Sequence, residues 1–108
     1  MSEPSLLSVS CQVEGTAATV AVSGEFDLSG RPAFLAAFHR ALDDGVDLVT
    51  IDASELTFAD STALVAFFQA REAAETRNVR FQLAPVSDAL HRVLTLAGVV
   101  DAFDILEV

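Results

Sequence analysis

Residues 48–68 read LVTIDASELTFADSTALVAFF, and the change of period within this stretch decides the fold. Leu48 to Ile51 is a short apolar run of strand length. The polar and acidic residues that follow predict a loop over Asp52 to Phe58. From Asp60 the spacing becomes helical, and the helix is predicted to run to about Thr76. Leu64, Phe67, Phe68 and Arg71 share one of its faces, with Leu64 and Phe68 as the buried stripe. Asp60 stands just before this run, where its carboxylate can accept hydrogen bonds from first-turn amides as an N-cap. Ser61 and Thr62 then lie in the first turn, beside amide donors that no helical carbonyl can reach. The same periodicity aligns Ser61, Val65, Gln69 and Glu72 away from the Leu64/Phe68 stripe, so the Ser61 hydroxyl is predicted to be exposed.

Outward from this stretch, strands alternate with helices. Leu6 to Gln12 and Ala17 to Ser23 predict two strands around a Glu14-Gly15-Thr16 turn, an antiparallel hairpin at a sheet edge. Gly24 to Gly30 is a predicted loop carrying Glu25 and Asp27. Ser29 or Gly30 can cap the next helix, Arg31 to Asp43, in which Pro32 suits the first turn and Phe34, Leu35, Phe38, Ala41 and Leu42 repeat with helical spacing. Val79 to Leu83 reads as a strand and Ser87 to Ala97 as a helix stopped by Gly98. Phe103 to Leu106 is a last short strand or a helical turn. The order predicts one α/β domain over residues 1–108, with a mixed, mostly parallel sheet of four to five strands and three to four packed helices.

Composition removes whole classes of function. The 108 residues carry 16 acidic and 6 basic side chains, a net charge of −10 that opposes direct nucleic-acid binding. With 52% apolar residues, the chain can bury a core without staples. Its one cysteine, Cys11, cannot form an internal disulfide, and its place in the pattern suggests a core residue rather than a redox sensor. No apolar run is long enough to span a membrane, and no signal peptide is evident, so a soluble cytoplasmic domain without membrane insertion is expected. No Cys/His spacing suits a metal, and no cofactor motif is present. His39 is expected to be exposed and His91 half-buried. A Ser61/His91/Asp triad lacks the Gly-x-Ser-x-Gly elbow, leaving no catalytic residue to assign.

Two motifs carry a family resemblance. Asp52-Ala53-Ser54, Phe58 and Asp60-Ser61-Thr62-Ala63-Leu64 resemble the central motif of STAS domains, the family that includes bacterial anti-sigma-factor antagonists. Val22-Ser23-Gly24-Glu25-Phe26-Asp27 is similar to the Gly-Glu-hydrophobic-Asp signature that ends the second strand of that family. The likeness extends over essentially the whole chain. It implies a non-enzymatic switch that binds an anti-sigma factor, itself a Ser/Thr-kinase-like ATPase, when unphosphorylated. It also implies phosphorylation at Ser61, with Thr62 as the alternative, and release on modification. Glu25, Asp27, Asp60, Ser61, Thr62, Val65 and Gln69 are the expected partner-binding residues. Ala63 replaces the usual glycine and Val65 a usually small residue. The resemblance leaves two other roles, a STAS subunit of a phospholipid-transport ABC complex or a stressosome-type scaffold. Oligomeric state is not set by the sequence. If the sheet is parallel here, Glu25 and Asp27 share an acidic rim with Asp52, Glu55 and Asp60.

Overall fold

A computed structural model of the chain describes residues 6–105. Strand β1 (Leu7–Glu14) turns through Gly15 and Thr16 into β2 (Ala17–Phe26). Helix α1 (Arg31–Asp43) crosses to β3 (Leu48–Ala59), α2 (Ser61–Thr76) to β4 (Arg80–Val86), and α3 (Asp88–Leu96) follows. The four strands lie in sequence order, with β1 antiparallel to β2 and β2, β3 and β4 mutually parallel. Parallel neighbours need a crossover, and α1 and α2 supply it. The expected mixed sheet and hairpin are therefore present. Among the described residues, two short 3₁₀ turns, Leu28–Gly30 and Val100–Ala102, accompany the three α-helices.

The core fills one face of the sheet. Ala18, Val20 and Val22 of β2, Val49 and Ile51 of β3, and Phe81 and Leu83 of β4 are buried. The alternate residues Thr19, Ala21, Thr50 and Gln82 remain half-buried or exposed, the period-2 pattern of a sheet packed on one side. Phe26, Phe34 and Phe67 form the centre of the core, with ring centroids 5.4–5.5 Å apart in edge-to-face geometry. This cluster ties β2, α1 and α2 together.

Several expectations change. Residues 52–58 are not a loop but the second half of β3. Asp52 to Glu55 on β3 face Ala21 to Ser23 on β2, so β3 carries an extra residue there, and a second irregularity lies between Gly24 and Glu25. Asp52 makes the first bulge possible, because its Oδ1 accepts from the Ser54 amide (3.1 Å) and hydroxyl (2.7 Å). Strand β2 likewise runs on to Phe26 rather than stopping at Ser23. The buried face of α2 is centred on Ala63, Ala66, Phe67, Ala70 and Ala74. Leu64 is buried at its margin, while Phe68 is only half-buried, against Phe103. Cys11 is exposed rather than in the core, because β1 is the edge strand and a groove separates Cys11 from α1. His91 is exposed rather than half-buried, since α3 turns Leu90 and Leu94 inward. His39 is exposed as expected.

The C-terminal segment returns to the sheet. The Leu83 amide donates to the Asp104 carbonyl (2.8 Å), and Leu83 and Ile105 form a parallel bridge. Arg71 fixes this return by donating to the Ala102 carbonyl while its guanidinium lies over the Phe68 and Phe103 rings. The expected element Phe103 to Leu106 thus ends as a strand-like bridge, and Leu106 lies outside the described residues. Val99 and Val100 pack against the core.

Candidate functional site

The parallel register of β2 and β3 builds the site. Glu25 pairs with Phe58 and Phe26 with Ala59, so the next residues, Asp27 and Asp60, leave the same end of the sheet on neighbouring strands. Each has extended backbone and caps the turn or helix that follows. Asp27 Oδ1 accepts from the Ser29 amide (3.0 Å) and hydroxyl (2.6 Å). Asp60 Oδ1 accepts from the Thr62 amide (2.8 Å), as predicted for an N-cap. The Ser29 hydroxyl holds the Asp27 carboxyl below the usual carboxylate range, opposed by burial and helped to a lesser degree by backbone amides. Asp27 thus stays ionised and fixed in place at neutral pH.

Ser61 is the first residue of α2 and is exposed, while Thr62 beside it is half-buried. Its hydroxyl sits where the helix offers unpaired amide donors and the positive end of its dipole. One turn on, Val65 is 45% exposed, and Gln69 and Glu72 continue the exposed face as the periodicity predicts. Ala63 is fully buried, so the methyl that distinguishes it from glycine belongs to the core and not to this surface. Val65 is the departure that faces outward.

The rim brings together Glu25, Asp27, Asp60, Ser61 and Thr62, with Val65 and Gln69 running down α2 from it. Asp52 does not join them, because it pairs with Ala21 in mid-strand, and Glu55 is set back opposite Ser23. Two residues join that patterning did not select as contacts. Leu28, directly after Asp27, is 67% exposed, and Phe58, opposite Glu25, is 45% exposed. Phe58 faces out because the bulges disturb the alternation, so that Thr57 and Phe58 are both exposed in succession. An isolated leucine inside an otherwise polar turn was the available signal for Leu28. The rim therefore carries exposed apolar side chains at Leu28, Phe58 and Val65 together with the acidic residues Glu25, Asp27 and Asp60.

Other candidates stay apart. The Cys11 thiol is pushed up by burial and by Asp44, with Arg40 opposing, which leaves it little thiolate at neutral pH. Among the described residues no group of three His, Cys, Asp or Glu side chains is placed to hold a metal ion. No described helix is long and apolar enough to cross a membrane. Removing the Asp60 cap tests the local geometry: Asp60→Ala is expected to lower unfolding stability by about 1 kcal/mol in urea denaturation.

The family model described as Mlab, STAS domain, matches residues 9–107. The chain belongs to the STAS domain family. No curated protein matches the sequence. Among solved structures, this STAS domain is similar to an anti-sigma factor antagonist from Mycobacterium paratuberculosis. That likeness covers 97% of this chain and 89% of that one, with a TM-score of 0.82 and 24% identity. The anti-sigma factor antagonist SpoIIAA in its unphosphorylated form aligns over 94% of this chain and 88% of its own, with a TM-score of 0.79 and 16% identity. The Bacillus cell fate determinant SpoIIAA in the phosphorylated form aligns over 94% and 91%, with a TM-score of 0.73 and 16% identity. At these identities the likeness shows a common fold.

Proposed function

We propose that this STAS domain is an anti-sigma-factor antagonist. It docks an anti-sigma factor on the rim formed by Leu28, Phe58, Ser61, Val65 and Gln69, and phosphorylation of Ser61 by that kinase-like partner releases it. The observation that carries the reading is the exposed Ser61 hydroxyl at the first position of α2, flanked by exposed apolar side chains and acidic caps. The antagonists that share the fold support it, as does the existence of SpoIIAA in both phosphorylation states.

The physics of release follows from this setting. A phosphoserine adds about −1.5 to −2 charges at neutral pH. In the free protein, solvent and the α2 N-terminus accommodate that charge. In the complex it would sit among desolvated apolar contacts beside Asp60, where an unpaired charge costs several kcal/mol. Ser61, exposed, is a better substrate than the half-buried Thr62. Incubation with the cognate kinase and ATP is expected to place phosphate on Ser61, and Ser61→Ala is expected to abolish it. Phosphate that persists on the Ser61→Ala protein would overturn the assignment.

One observation favours a second reading. Val65 puts a branched side chain on the docking face where STAS antagonists commonly carry a small one, which suits a different partner surface. A STAS subunit of a phospholipid-transport ABC complex would use the same face to hold an ATPase subunit, without a phosphate switch. Stable co-purification with transporter subunits, unchanged by Ser61→Asp, would select that reading.

A further inference from the structure

Among the described residues, no strand pairs with the outer edge of β1. Strand β1 pairs with β2 without interruption from Leu7↔Gly24 to Glu14↔Ala17, so no bulge twists it away. Its sequence, LSVSCQVE, contains no proline and no cation, and its single charge, Glu14, lies at the turn. Edges are ordinarily protected by lysine, proline, bulges or a covering element, and all six cations of this chain are arginines placed elsewhere.

The hairpin geometry fixes which groups face outward. A two-residue connection closes on a mutually hydrogen-bonded pair, here Glu14↔Ala17. Bonding then alternates back along the strand. Gln12, Ser10 and Ser8 direct their amide and carbonyl groups toward β2, and Val13, Cys11 and Val9 direct theirs away from the sheet. Cys11 is the midpoint of those three. On the core side, a groove of about 370 Å³ separates β1 from α1, lined among others by Val9, Cys11, Val13, Ala37, Arg40 and Asp44. Val13 is 42% exposed there, and Cys11 is exposed.

We propose that β1 pairs with β1 of a second copy of this chain, antiparallel and two-fold symmetric about Cys11, joining two four-stranded sheets into one of eight strands. The strand is self-complementary in this register. Val9 lies opposite Val13, Ser10 opposite Gln12, Ser8 opposite Glu14, and Cys11 opposite its own copy, so no like charges face each other. The outward backbone groups of Val9, Cys11 and Val13 all find partners.

The helices agree with the same axis. Helix α1 packs over both β1 and β2. With strands about 4.8 Å apart, the two α1 axes would lie roughly 10 Å apart across the junction, an ordinary helix-packing distance. Arg40 and Asp44 stand one turn apart on the side of α1 that lines the groove. The two-fold axis runs the α1 helices antiparallel and sets Arg40 of each copy toward Asp44 of the other. This charge complementarity selects a second copy as the occupant rather than an unrelated strand. The two Ser61 rims lie at opposite ends of the joined sheet and both remain open, so the dimer is bivalent. The pairing does not depend on what the rim binds.

Sedimentation equilibrium of the full chain over a wide concentration range tests this, alongside capture of Cys11 pairs by a short bis-maleimide. Wild type is expected to approach twice the 11.4 kDa chain mass and to yield a covalent dimer. Val13→Lys and Cys11→Lys change exposed side chains and are expected to keep the wild-type circular dichroism spectrum. Both should weaken dimerisation by about tenfold or more. A wild-type protein that stays monomeric up to millimolar concentration would overturn the proposal. So would a dimer that Val13→Lys leaves equally tight, because its interface would then lie elsewhere.

Discussion

Replacing Phe67 by alanine is expected to remove about 3–5 kcal/mol of unfolding free energy. Phe67 is fully buried on α2 and meets both other rings of the central cluster, Phe26 of β2 at 5.5 Å and Phe34 of α1 at 5.4 Å. Edge-to-face contacts of this kind add about 0.5–1.5 kcal/mol each beyond buried area. The surrounding wall cannot collapse into the space easily, because much of the α2 contact face is alanine, whose side chains are too short to move in. Domains of this size are stable by only about 5–15 kcal/mol, so the variant should unfold at much lower urea concentration. Phe68→Ala is the internal control. Phe68 is half-buried and packs on Phe103 at 4.7 Å, so its loss should cost clearly less. Equal destabilisation by the two changes would contradict the assigned orientation of α2.

The second large effect is at Gly24. Its φ is +91°, a conformation that L side chains avoid, and a Cβ there would run into the carbonyl oxygen of Leu6. Gly24→Ala therefore adds about 1–2 kcal/mol of backbone strain. It also threatens the adjacent bond from the Glu25 amide to Leu6 O (3.2 Å), for a total of roughly 2–3 kcal/mol. Because Glu25 follows Gly24 at the strand end, the proposed docking at the rim should weaken as well. Gly15, at φ +60° with nothing within 4 Å of an added Cβ, isolates the conformational cost alone. Thermal unfolding should therefore show a larger drop for Gly24→Ala than for Gly15→Ala. Equal drops would mean that the close approach to Leu6 is not what requires glycine.

Gly24 also shows how much of the fold could be read from the sequence. Helical spacing located α1, α2 and α3 to within a residue or two, and Asp60 was legible as a cap because its side chain acts on its own neighbours. Strand β3 was not legible beyond Ile51. Asp52 and Ser54 carry the local signature of a turn, and only pairing with β2 across the chain turns that signature into a bulge within a continuing strand. The face of α2 was misplaced by one position for a related reason. Counting large apolar residues gave Leu64 and Phe68, whereas the close approach of the helix is made by Ala63, Ala66, Ala70 and Ala74 around Phe67. Exposure of Ser61, Val65 and Gln69 follows from periodicity alone. Exposure of Leu28 and Phe58 depends on where β2 and β3 end together, and exposure of Cys11 on which strand lies at the edge.

In the proposed function, the rim around Ser61 docks a partner and charge at Ser61 controls the docking. Calorimetric titration of the cognate anti-sigma factor with wild type, Ser61→Ala, Ser61→Asp and Ser61-phosphorylated protein measures this directly. Wild type and Ser61→Ala should bind within about fivefold of each other. The phosphorylated protein should bind about 100-fold more weakly, close to 2.7 kcal/mol, with Ser61→Asp in between. The same affinity for all four proteins would contradict the account.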